Sequence, residues 1–413
     1  MNKEEKNRVI APEDRRDTTS DKKKIKKIMI IVLSVMLALV FITAGCGTAR
    51  KMEVNNVIYL IGDGMGLGAV SSLILSEDSE TGFEQAPVIG LCETCSANNY
   101  VTDSPAGGTA LATGTRTNNG YVGVDPEGRQ LTSIMRKAQE MGKKTGIVVN
   151  TTLTEATPAA FYAGVTNRNK TYDIARQFTE SGVDVAVGAG LDHFINRPDS
   201  LDLTATLIEK GYDVYLSWEK VLDTDSEKFV GILPLADVHR SKSDNETAGA
   251  AEGQEVCLAA QLAASAEDAD ATHLSEPTVY LEKAAAKALD VLSRNKDGFF
   301  LMIESAIIDG YGHNNDTEGL IEEMQEFDRT LRQLVAYINE HPNTLLVVTA
   351  DHETGGTGVN YTGYEAGKPR LIFSTRGHTG TLVPVFAYGA GAEAFAGIMK
   401  NTDIPERIEE LIR

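Results

Sequence analysis

Three apolar stretches of the 413-residue chain run straight into acidic side chains. Val57-Ile58-Tyr59-Leu60-Ile61 is followed by Gly62-Asp63-Gly64, Phe299-Phe300-Leu301-Met302-Ile303 by Glu304, and Leu345-Leu346-Val347-Val348-Thr349-Ala350 by Asp351-His352-Glu353. Carboxylates delivered to the exits of buried strands converge on the carboxyl edge of a sheet, where open α/β proteins bind ligands. Crowded there as anions they repel, so a cation must offset them, and the imidazole of His352 makes a bound metal the natural counter-charge. More donors follow Glu304. Asp309 and His313 are four residues apart, a spacing that puts two side chains on one face of a helical turn, and His378 stands in Arg376-Gly377-His378-Thr379. Singly, each of these is ordinarily a cap, a turn residue or a surface group. Together, the mixed oxygen and nitrogen donors suit zinc, and an all-oxygen remainder suits magnesium.

A nucleophile is available in Thr102-Asp103-Ser104-Pro105-Ala106-Gly107-Gly108-Thr109, which reads as a loop entering a helix of small residues. Taken alone, that is an ordinary helix cap. A hydroxyl at a helix start also lies beside amides that stabilise an anion, and next to a divalent metal a serine can attack as an alkoxide.

These residues need a scaffold, and the periodicity supplies one. Runs rich in β-branched residues at Val57–Ile61, Thr145–Val149, Val183–Val187, Phe299–Ile303 and Leu345–Val348 are apolar on both faces. Helical patterning separates them at Leu131–Met141, Thr278–Leu292 and Gly319–Ile338. That alternation predicts an α/β fold with a mainly parallel central sheet flanked by helices on both faces. No repeat of 20–50 residues appears, so a single catalytic unit is the simplest plan.

Charge is unevenly spread. The formal net charge is −20, but residues 1–45 hold 10 Lys and Arg against 6 Asp and Glu, which leaves a body of net −24. So acidic a body is not expected to bind nucleic-acid backbones, which demand clustered Lys and Arg. In the leader, Lys22-Lys23-Lys24-Ile25-Lys26-Lys27 precedes an apolar or small run from Ile28 to Gly45, then Cys46. A basic segment, an apolar segment and small residues before a cysteine read as a lipoprotein signal with Cys46 lipidated, with an uncleaved membrane anchor and a soluble chain as alternatives. The expected division is therefore a targeting segment at 1–45 and one domain at 46–413, held outside the cytoplasmic membrane or released. Cys92-x-x-Cys95 lies in a strand-like stretch without a second pair, favouring a local disulfide or two buried thiols over a metal site.

The combined motifs resemble the alkaline phosphatase family. The matching pieces are Leu-Ile-Gly-Asp63-Gly-Met-Gly, Thr-Asp103-Ser104-Pro-Ala-Gly-Gly-Thr-Ala-Leu-Ala-Thr-Gly, and Glu155-Ala-Thr157-Pro158-Ala-Ala-Phe-Tyr-Ala-Gly-Val-Thr-Asn-Arg168. The segments from Glu304 to His313, Thr-Ala-Asp351-His352-Glu353-Thr-Gly-Gly and Gly-His378-Thr-Gly follow in the family's order. The resemblance implies two zinc ions and one magnesium ion per chain. Asp309, His313 and His378 would hold the first zinc, and Asp63, Asp351 and His352 the second, beside Ser104. Asp63, Thr157 and Glu304 would hold the magnesium. It further implies that Arg168 clasps two phosphate oxygens, oriented by Asp103, and that Ser104 forms a phosphoserine which water then cleaves, with net retention at phosphorus. The substrates would be small phosphate monoesters, with inorganic phosphate as product. Two departures stand out: Gly310 occupies a position where some relatives carry Lys, His or Trp, and Glu155 stands where Asp or His is common in the magnesium outer shell. A compact crown insertion is expected at about 353–377, with Tyr361, Tyr364 and Arg370 in it, and a homodimer is one expected state. The competing readings are a phosphodiesterase or sulfatase on the same scaffold, and a phosphate-binding surface protein without catalysis. His193, His239, His273 and His341 lie outside the motifs and read as structural or surface residues.

Overall fold

A computed structural model describes residues 53–238, 280–360 and 365–413, together with residue 24 and a helical piece at 26–32. Cys46, Cys257, His239, His273, Tyr361 and Tyr364 lie outside the described residues. The chain divides into Met1–Lys51 and Met52–Arg413. In the first unit Ile28, Met29, Ile31 and Val32 are exposed. Among the described residues no helix is long and apolar enough to cross a membrane.

The second unit is built on β1 (Asn56–Gly62), β2 (Val88–Glu93), β3 (Lys144–Thr152), β4 (Val185–Ala189), β5 (Asp213–Tyr215), β6 (Phe229–Leu233), β7 (Phe299–Ser305) and β8 (Thr344–Thr349). Four short strands follow, β9 (Glu353–Thr354), β10 (Thr357–Val359), β11 (Leu371–Phe373) and β12 (His378–Thr379), then β13 (Val383–Gly389) and β14 (Gly397–Lys400). Ten of them form one sheet in the order β14-β2-β13-β8-β1-β7-β3-β4-β6-β5. Only β13 runs against its neighbours; the other pairings in the sheet are parallel. Every residue of β1, β7 and β8 is buried, so both faces are covered. Tyr59 packs edge-on against Phe161 and Phe300, and Phe83 stacks on Phe327 and meets Phe386 edge-on.

The register places the chemistry. β1 lies between β7 and β8, with Ile61 opposite Glu304 on one side and Thr349 on the other. Asp63, Glu304 and Asp351 therefore leave three adjacent strands at one edge. Two adjacent residues of the Ser104–Thr113 helix decide its place: Gly107 and Gly108 let it pack where a Cβ would lie 2.9 Å from the Asp351 carbonyl oxygen and 2.9 Å from the Thr157 Cα. Asp103 caps this helix by accepting from the Ala106 amide, Pro105 sits in its first turn, and Gly114 ends it at φ 74°.

Some expectations shift. The helix expected from Leu131 starts at Ile134, because Ser133 caps it through its hydroxyl, and the strand expected at Val183–Val187 runs Val185–Ala189. Cys92 and Cys95 are free thiols, and only Cys92 is buried. The Cys95 thiol instead donates to Glu93. The expected crown interval holds the antiparallel β10–β11 pair, and β9 pairs with β12, bringing His378 opposite Thr354. His341 stacks on Tyr337, a structural contact.

Candidate active site

Ser104 is buried, and its Oγ lies 3.2 Å from Nε2 of His352, a residue 248 positions away. The same Nε2 lies 3.4 Å from Asp63 Oδ1 and 3.4 Å from Asp351 Oδ2. His352 is followed at 3.6 Å between ring centroids by the stacked His378, whose Nε2 is 3.1 Å from His313 Nε2. Asp309 joins the two groups: its Oδ2 is 3.2 Å from His313 and its Oδ1 3.5 Å from His378. Two sets of side chains offer donors close enough for a shared ion, Asp309 with His313 and His378, and Asp63 with Asp309 and His352.

The outward nitrogens set the tautomers. His378 Nδ1 meets the Thr102 carbonyl at 3.0 Å, and His313 Nδ1 meets the Arg376 carbonyl. A carbonyl only accepts, so each Nδ1 donates, and Nε2 is the nitrogen that turns inward, protonated where it faces Asp309 and offering a lone pair once that proton is displaced. The Thr354 hydroxyl donates to Asp309 and lies 3.2 Å from His352 Nδ1, so it accepts from that nitrogen and leaves the third Nε2 as a lone pair. Imidazoles held in this way by a carbonyl or hydroxyl behind them are characteristic of metal ligation.

The carboxylates tell the same story through what they lack. Asp63 Oδ1, Asp351 Oδ2, both oxygens of Glu304 and Thr157 Oγ1 are buried without a hydrogen-bond partner. Burial first, and then Asp351, Asp309 and Glu304, push the Asp63 carboxyl well above its ordinary range. Burial, Asp351 and Glu155 do the same to Glu304, and burial with Asp309 lifts Asp351 to about 7. Burial would also raise Asp309, but hydrogen bonds from His313 and His378 outweigh it and hold the acid well below its usual value. Burial opposes the charged form of His378 as well, yet the contact with Asp309 raises that imidazole to about 9. His352, buried and facing His378, is pushed well below. Buried acids of this kind need protons or cations. The orphaned oxygens and inward nitrogens fit divalent metals, with Glu304, Thr157 and Asp63 as an oxygen-only set beside the nitrogen-bearing ones.

Arg168 stands half-buried at the same edge, its guanidinium paired with Glu155. Glu155 and Asp63 raise its pKa against burial. Asp103, besides its capping bond, accepts from the Gly120 amide at 2.6 Å, and the Gly120 carbonyl accepts from the Arg168 amide at 2.9 Å. Asp103 thus reaches the arginine's backbone through one residue, Gly120. Sequence reasoning left Thr354 without a role although it stands two residues after His352 in a quoted motif. Glu353, which accepts from Gly356 at 3.2 Å and Thr357 at 2.9 Å and from the Thr379 hydroxyl, ties β9 to β12 and so places His378. Beneath Glu304, Glu323 accepts from Asn150 at 2.7 Å and from Ser305, while Asn150 accepts from the Ala306 amide at 2.8 Å. No local pattern in the sequence signals that anchor.

A family model described as alkaline phosphatase matches residues 54–374. Alkaline phosphatase 4 of Bacillus subtilis is 28% identical, with 94% of this chain and 97% of that protein covered. Streptomycin-6-phosphate phosphatase of Streptomyces griseus is 27% identical over 85% of this chain and 88% of its own length. Among solved structures, alkaline phosphatase from the Antarctic bacterium TAB5 is 31% identical, covers 88% of this chain and 99% of that one, and superposes with a TM-score of 0.74. A mutant of that protein was solved with magnesium bound in its M3 site.

Proposed function

This chain belongs to the alkaline phosphatase family, metal-dependent enzymes that hydrolyse phosphate monoesters, and from that premise we propose that Ser104 carries the phosphoryl group as a covalent intermediate. The observation that carries this reading is the Ser104 hydroxyl lying 3.2 Å from the inward Nε2 of His352, amid carboxylate oxygens that lack partners. Asp309, His313 and His378 would hold one zinc, Asp63, Asp351 and His352 a second, and Asp63, Thr157 and Glu304 a magnesium, with Glu155 behind it. Bound there, the ions supply positive charge that favours the serine alkoxide, neutralises the leaving oxygen and acidifies water.

Ser104 Oγ loses its proton and forms a bond to phosphorus in line with the ester oxygen, which departs with the bonding electrons and is protonated as the free alcohol. Arg168 turns its planar fork to two of the phosphoryl oxygens, exchanging the Glu155 carboxylate for the phosphate. The first amides of the Ser104–Thr113 helix add their partial positive charge. Water then attacks from the opposite side, Ser104 leaves and recovers a proton, and phosphate is released. Two inversions give net retention. A phosphodiesterase or sulfatase would present the same scaffold, and rates on aryl phosphate, bis-aryl phosphate and aryl sulfate separate the three.

The test is turnover of an aryl phosphate by wild type and Ser104→Ala, with acid trapping of the intermediate. The expected result is a phosphoserine at Ser104 in wild type and a loss of several orders of magnitude in kcat for the variant. Full turnover by Ser104→Ala would sink the covalent route, and wild-type activity untouched by thorough chelation would sink the metal assignment. The leader supports export with lipid attachment at Cys46. Labelling with a fatty-acid probe that persists in Cys46→Ser would overturn that placement.

A further inference from the structure

We propose that Tyr100 is a specificity-determining residue, a planar surface on which the leaving group of the ester stacks, so that the favoured substrates are phosphate monoesters whose alcohol carries an aromatic ring, such as a nucleoside. The inference deepens the phosphomonoesterase reading and rests on it.

Tyr100 is 91% exposed, the most exposed large apolar side chain among the described residues. Its backbone is nonetheless pinned on both sides. The Ser96 amide donates to the Asn99 carbonyl at 3.1 Å and the Ala97 amide to the Thr117 carbonyl at 2.8 Å. The Val101 amide donates to Asn99 Oδ1 at 3.1 Å, and Asn119 donates to the Val101 carbonyl at 3.1 Å. A ring presented to water from a fixed segment gives up the stabilisation that burial would bring, and tyrosine suits a site with one apolar side and one wet side.

The segment lies where two parts of the active site meet. Tyr100 is four residues before Ser104, and the intervening Thr102 carbonyl takes the Nδ1 proton of His378. The Tyr100 carbonyl lies 3.3 Å from the point that a Cβ on Gly380, two residues after His378, would occupy. In-line displacement sends the leaving alcohol away from Ser104 and toward the Asp309, His313 and His378 group. The chain from Arg376 to Gly380 bounds that side, and Tyr100 abuts its end. The phosphoryl group is recognised by charge, which is blind to the alcohol; a ring at this rim would discriminate among alcohols by stacking, which is sequence- and substituent-tolerant.

The experiment compares adenosine 5′-monophosphate with glycerol 3-phosphate, both esters of alkyl alcohols, on the full-length wild type, Tyr100→Ala and Tyr100→Phe. Tyr100→Ala should raise KM for the nucleotide about 3- to 10-fold, the scale of partly lost stacking at an open rim. It should leave kcat/KM for glycerol 3-phosphate and inhibition by inorganic phosphate unchanged, and Tyr100→Phe should match wild type. Equal changes on the two substrates, no change on either, or a loss in Tyr100→Phe as large as in Tyr100→Ala would overturn the proposal. Light scattering on the same proteins adds one more overturning outcome: equal losses accompanied by dissociation of a dimer would mean that a second copy covers the ring. Wild type inactive on both esters sinks the phosphomonoesterase reading and the platform with it; wild type active on both with Tyr100→Ala unselective sinks only the platform.

Discussion

Thr354 shows how a single hydroxyl can set the state of a site. It has one proton, given to Asp309, so it can only accept from His352 Nδ1, and Nε2 is thereby left facing Ser104. Thr354→Val keeps the shape and removes both bonds. Zinc affinity, measured by competition with a chelator, should fall about 10- to 100-fold, the usual effect of losing the group behind a ligand; an unchanged affinity would mean that packing alone orients the ring. Gly310 offers a second test. It is buried in the Ile307–Asn314 helix immediately after Asp309, and a lysine there would bring a cation toward the phosphate. Gly310→Lys should tighten inhibition by inorganic phosphate, and indistinguishable inhibition would count against a role for this position. The Asp309 and His313 pair was readable from its spacing, whereas the tautomers were not, since they depend on the carbonyls of Thr102 and Arg376, which lie 276 and 63 positions along the chain from His378 and His313.

Elements carry two further consequences. The Ser104–Thr113 helix approaches Asp351 and Thr157 so closely that Gly107→Ala would set a Cβ 2.9 Å from a backbone oxygen. Backbone must move, and a stability loss of about 1–3 kcal/mol is expected, read as a lower urea midpoint. The displaced Ser104 should cost kcat more than KM. The long Thr317–Glu340 helix buries Glu326, whose carboxyl burial raises from 4.5 to about 7, with Glu323 adding to the rise and Arg329 opposing it. Between those two values the folded state keeps a proton that the unfolded state has lost. The contribution of Glu326 to stability therefore falls as pH rises from about 4.5 to about 7 and is flat beyond. Glu326→Gln, which can still accept from the Leu281 amide, should gain on wild type across that interval by up to about 3 kcal/mol. A stability difference that is the same at pH 5 and pH 7.5 would show that the acid is ionised throughout. Strands were legible where apolar runs are long and uninterrupted, as in β1, β7 and β8. β13 was not, because Pro384 and Gly389 argue against a strand, and neither was the short, partly exposed β14 at the sheet edge.

At the scale of the molecule, the acidic body and the anionic substrate are reconciled only with cations in place. Asp63, Glu304 and Asp351 are buried and mutually repulsive, so ions that bind the folded state alone stabilise it by mass action, about 2.7 kcal/mol for each ion at a hundred times its dissociation constant. Chelation should lower Tm by roughly 5 °C or more, with recovery on adding zinc and magnesium. A Tm indifferent to chelation would mean that protons suffice to neutralise the site.

The sequence by itself determined the fold class and the three acid-tipped strands, which are written in local periodicity, and offered a candidate nucleophile and candidate ligands through short motifs. It also carried the family resemblance. Only the tertiary structure decided that β1 lies between β7 and β8, that Asp309 serves both groups of donors, and that Glu155 pairs with Arg168. Those facts are distances between groups distant in the chain, and they are set by sheet order, register and close packing at two glycines, none of which a local pattern encodes.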